Sequence, residues 1–161
     1  MIFIFVNGIL SFPGSSRGWT DRAVTWVHTH SDSQAEKFEY FSGPLLRRFR
    51  QDWWAAELAR LALCYQTDPV AMVGHSNGCD IILRALRKTK QPVAHIHLLS
   101  PACEADFQKN GLNEAVSLGL VDYISVYLAG QDGAMLWARL TQLLAPIGLG
   151  YGTLGMTGPK N

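Results

Sequence analysis

Short apolar runs separated by polar, glycine-marked breaks dominate the chain. Ile2–Val6 is continuous, β-branched and aromatic, the pattern of a parallel strand buried on both faces. Ala23–Thr29 alternates Val, Trp and Val and reads as a second strand. Residues 30–43 are polar around one aromatic patch (Phe38, Tyr40, Phe41) and carry no clear period. From Pro44, whose missing N–H costs nothing in a first helical turn, Leu45, Leu46, Phe49, Trp53, Ala56 and Leu61 recur at helical spacing to about Cys64. Adjacent Trp53 and Trp54 cannot both face one core, so one of them covers a loop or stays partly exposed.

The second half alternates more regularly. Val70–Gly74 is a strand, Asn77–Lys88 an amphipathic helix, Val93–Leu99 a strand and 112–118 a helical stretch. Val121–Ala129 is strongly β-like, and Ala134–Leu144 is a helix stopped by Pro146. The tail from Gly148 has no strand or helix signal. Five strands are thus expected, at 2–6, 23–29, 70–74, 93–99 and 121–129. Their alternation with helices predicts an α/β fold, a mostly parallel sheet covered on both faces. With 161 residues, no internal repeat and no linker, one domain is expected.

Composition narrows the function. A net charge of +1 gives no reason to expect nucleic acid or a membrane surface as partner. No apolar run reaches the ~20 residues of a membrane span. Met1-Ile-Phe-Ile-Phe-Val lacks a basic leader and reads as the first strand, not a signal peptide. Cys64, Cys79 and Cys103 are odd in number and lack metal spacing. They suggest buried thiols in a reducing, cytoplasmic compartment. No set of His, Cys or carboxylates has the spacing of a metal site, and no cofactor is implied.

The chemistry concentrates in Gly74-His75-Ser76-Asn77-Gly78, a G-x-S-x-G pentapeptide. The bare pattern occurs by chance in roughly one chain in ten or twenty of this length. Its context is more telling, because a strand ends at Gly74 and a helix begins after Ser76. A sharp strand-to-helix turn strains the serine and lifts its hydroxyl above the sheet, while the glycines keep side chains out of the turn.

Strand, G-x-S-x-G and helix in an alternating α/β chain resemble the α/β-hydrolase superfamily. The resemblance spans nearly the whole chain, though only the pentapeptide is specific. It implies a three-layer sandwich with strand order 23–29, 2–6, 70–74, 93–99, 121–129. It implies a serine hydrolase of carboxylic esters with Ser76 as nucleophile. The oxyanion N–H groups would come from Asn77 and, on the loop after the first strand, Ile9, with Gly8 shaping that turn. Asp132, on a glycine-flanked loop past 121–129, would be the acid; as a plain turn residue it would cap the helix at Ala134. Glu104 and Asp106 are the substitutes. The family's histidine follows the acid, but His28, His30, His75, His95 and His97 all precede Asp132. Three accounts remain open. The chain is a fragment whose last strand and histidine lie past Asn161; another histidine, His30 foremost, serves as base; or the scaffold only binds. In the fragment account 121–129 becomes an apolar sheet edge that invites a homodimer. Only about 20 residues separate the last two strands, so a large lid is not expected. An open site for short, soluble acyl substrates follows, with thioesters or peptides as rival substrates.

Overall fold

A computed structural model describes residues 1–8, 18–40, 47–89, 92–128 and 154–158. Among them, five strands form one all-parallel sheet: β1 (Ile2–Val6), β2 (Gln34–Phe38), β3 (Val70–His75), β4 (Val93–Leu99) and β5 (Val121–Tyr127). The spatial order is β2-β1-β3-β4-β5. Helices α1 (Trp19–His30), α2 (Arg47–Leu63), α3 (Asn77–Thr89), α4 (Phe107–Asn110), α5 (Leu112–Ser117) and α6 (Leu154–Thr157) complete the described elements.

Apolar clusters lie on both faces of the sheet. Ile4, Val6, Met72, Ile96 and Leu98 face Leu58 of α2 and Ile82 and Leu86 of α3 in the larger one. Phe5, Val27 and Ala35 form the smaller, with Trp19, Ala23 and Val24 of α1 packed against them. Helix, sheet and helix make the three-layer α/β sandwich that the sequence predicts. α3 is amphipathic, burying Cys79, Ile81, Ile82, Leu83, Ala85 and Leu86. The tryptophan pair divides as expected: Trp53 is 53% exposed while Trp54 packs on the core.

Two expectations are corrected. Residues 23–29 are helix, not strand, because the positions that meet the core (Trp19, Ala23, Val24, Val27) follow a 3.6-residue period. Trp26, which made the segment look alternating, is 61% exposed and stacks on His30 one turn later, with ring centroids 4.8 Å apart. The edge strand is instead Gln34–Phe38, inside the stretch that carried no period, and Ala35 is its one fully buried residue. The tail is also not wholly irregular, since α6 lies within it. The expected helix at 134–144, the Pro44 helix start and the end of the last strand at Ala129 lie outside the described residues.

Candidate active site

Register assembles the site. Val6 pairs with Gly74 on one side and Phe38 on the other, and His75 pairs with Leu99. Continuing each strand past its last pair brings Tyr40, Gly8, Ser76 and Ser100 into one row along the carboxyl edge of the sheet. In open α/β sheets ligands bind at this edge, where helix N-termini converge.

At Ser76 the chain turns from β3 into α3 with φ 54°, the left-handed region that non-glycine residues seldom adopt. Neighbouring segments hold this conformation. The Ser76 N–H donates to Leu99 O at 3.0 Å, and the Ser76 carbonyl accepts from Cys79 N at 3.2 Å and Ala102 N at 3.1 Å. Among the described residues its hydrogen bonds all run through the backbone, and the side chain is half-buried.

The glycines allow close approach. A Cβ on Gly74 would meet Ile82 Cδ1 at 2.7 Å and Cys79 N at 3.0 Å. One on Gly78 would collide with the carbonyl oxygens of Asn7 and Val6, the latter at 2.6 Å, so α3 starts directly against the exit of β1. One on Gly8 would stand 3.1 Å from Ser76 Cβ and 3.2 Å from His75 Nδ1. Gly8, two residues past the end of β1, therefore lies beside the serine. The His75 ring lies beside Gly8 and edge-on to Trp19, with centroids 6.1 Å apart.

Residues 16–158 match the family described as serine hydrolase. The chain belongs to that family. Among curated proteins none matches the chain. Two solved structures of low identity share its fold. One is a protein from Silicibacter sp. TM1040 to which a thioesterase activity is ascribed, at TM-score 0.51 and 18% identity over 78% of this chain. The chain spans 56% of that protein's length. The other is an acetyl xylan esterase, at TM-score 0.51 and 12% identity over 92% of this chain and 98% of its own.

The remaining candidates divide. Ile9 and Asp132 lie outside the described residues. His30 is misplaced by the strand expectation: it ends α1, exposed, where the chain turns back to start β2, and Gln34 N donates to Met1 O there. It therefore sits at the amino edge of the sheet, roughly 20 Å along the strand direction from Ser76. His97 pairs opposite Val73, three residues short of Ser76, and its ring lies among His95, Tyr123 and Tyr127. Burial, with the charge of His95, pulls its pKa below the ordinary value. Of the substitute acids, Glu104 is exposed, with Oε1 accepting from Ala105 N. Asp106 caps α4, accepting from Gln108 N at 2.9 Å and Lys109 N at 3.4 Å. The Gln108 bond foremost holds its carboxyl below the usual range. Both are engaged locally.

Sequence reasoning missed a buried polar chain behind the serine. Gln51 Nε2 donates to Asn77 Oδ1 at 3.1 Å, and Asn77 Nδ2 donates to the Tyr40 phenol at 2.9 Å. Asn7 and Asn77 are fully buried and Tyr40 is 1% exposed. The polar Asn-Gly ending a strand was the available signal at Asn7. Nothing local marked Tyr40 or Gln51. Burial and the nearby Cys103 push the Cys79 thiol well above its ordinary pKa, which leaves it protonated core filler. No helix among the described residues is long and apolar enough to cross a membrane, and no group of three or more metal-ligating side chains occurs among them.

Proposed function

We propose that this serine hydrolase cleaves carboxylic esters through Ser76 on a nucleophile elbow. The observation that carries the reading is the left-handed φ of 54° at Ser76, at the start of α3 and beside Gly8. The Ser76 hydroxyl attacks the acyl carbon while a histidine takes its proton, and that proton passes to the departing alcohol. Negative charge collects on the former carbonyl oxygen. The N–H of Asn77, at the positive end of α3, and that of Ile9, past Gly8, stabilise it. Water then attacks the acyl-enzyme and releases the acid. Asp132 orients the histidine. A short span between β4 and β5 favours small, soluble acyl groups over long lipids.

The test is intact-mass analysis after incubation with a fluorophosphonate, beside Ser76→Ala. One adduct on the wild type, absent from the variant, is expected. An unlabelled wild type would mean that no activated serine is present in these 161 residues, as the fragment and binding accounts both require. A panel of p-nitrophenyl esters and acyl thioesters then ranks the leaving groups.

A further inference from the structure

We propose that Tyr40 is a positioning residue that couples the two segments supplying the oxyanion N–H groups, with Gln51 as its second anchor. The inference rests on the Ser76 reading above. Tyr40 touches both sides of the site through different atoms. Its phenol accepts from Asn77 Nδ2 at 2.9 Å, fixing the residue after the serine. Its backbone N–H points to Asn7 Oδ1 at 3.5 Å, and Asn7 N in turn donates to Phe38 O at 3.3 Å, so the exit of β1 is tied to the exit of β2. Asn7 precedes Gly8, and Asn77 follows Ser76. The two segments meet again where the Asn7 carbonyl abuts Gly78, the residue after Asn77. Gln51 holds Asn77 from α2 at 3.1 Å.

Stability alone does not account for this arrangement. Asn7, Tyr40, Gln51 and Asn77 sit where the surrounding core is apolar, and Asn7 Nδ2 is buried with no hydrogen-bond partner among the described residues. Buried amides are costly unless fully paired, and apolar side chains of similar size would fill the space more cheaply. What such a network provides is a unique backbone position. The backbone it fixes on both sides is the one whose N–H groups must stand ready before charge develops, since donors that reorganise during reaction lose most of their effect.

The experiment uses Tyr40→Phe, which deletes one oxygen, and Gln51→Leu, in the full chain. Turnover of p-nitrophenyl acetate and the rate of Ser76 phosphonylation are measured together with thermal midpoints. Ile96→Val, in the core face of β4, serves as a control for plain destabilisation. A displaced donor should lower kcat about ten- to a hundredfold, with KM within about twofold because ground-state binding is untouched. Phosphonylation should slow in parallel, as it too places negative charge on an oxygen in that position. Unchanged kcat in both variants, or activity losses that merely follow midpoint losses as in Ile96→Val, would overturn the positioning role while leaving Ser76 as nucleophile. A wild type that neither turns over nor labels would overturn both together.

Discussion

At the residue scale the site is a set of close approaches, and Gly78 is the tightest. It has no room for a methyl group, because the carbonyls of Val6 and Asn7 occupy the place a Cβ would take. Those carbonyls belong to the end of β1, which is held on both sides by β2 and β3 and cannot retreat. Gly78→Ala should therefore destabilise the fold by about 1–3 kcal/mol through overpacking. It should also depress fluorophosphonate labelling beyond what that loss explains, since the shift falls one residue from Asn77. Urea unfolding alongside labelling rates separates the two effects, and a fully stable, fully reactive variant would refute the argument. This part of the site was legible in the sequence, because a strained turn writes its needs into neighbouring letters. Tyr40 and Gln51 were not legible. Their partners lie 37 and 26 residues away along the chain, and neither spacing follows a local period.

At the element scale, the sequence failed where composition and period disagreed. Val24, Trp26 and Val27 are residues that strands favour, yet α1 forms because its apolar positions meet the sheet once per turn. β2 escaped notice for the opposite reason: an edge strand with one fully buried residue has almost no apolar signature. The central strands, mostly apolar, were read to within about one residue. Strands β4 and β5 also carry a pH response. His97 is held among Tyr123, Tyr127 and His95, and its pKa lies below the ordinary 6.5. A base whose folded pKa is depressed favours the native state in neutral form. Its contribution is complete above the ordinary histidine value and is lost as pH falls through the lower, folded value. Thermal midpoints should thus drop on moving from pH 7.5 to below 6, and His97→Gln should reduce that drop. Titration of the His97 ring by NMR gives the direct check, and a midpoint above 6.5 would contradict it.

For the whole molecule, the sheet has two unlike borders among the described residues. β2 is polar and short. β5 shows Tyr123, Tyr127 and the following Leu128, each at least half exposed. A border with exposed apolar side chains and no further strand beside it among the described residues pairs readily with another chain. Self-association through β5 is therefore expected at micromolar concentration, and sedimentation velocity should show it weakened by Ile124→Lys or Leu128→Lys. A monomer at every concentration would argue against it. The order of the sheet has one more consequence. β1 is synthesised before either of its partners, which are Gln34 and beyond on one side and Val70 and beyond on the other. At ordinary translation rates the ribosome needs about 3–14 s to progress from Ile2 to Val70. During that interval five consecutive apolar residues wait with at least one flank open, so the yield of soluble protein in a cell is set as much by what shelters this nascent strand as by the stability of the finished sheet.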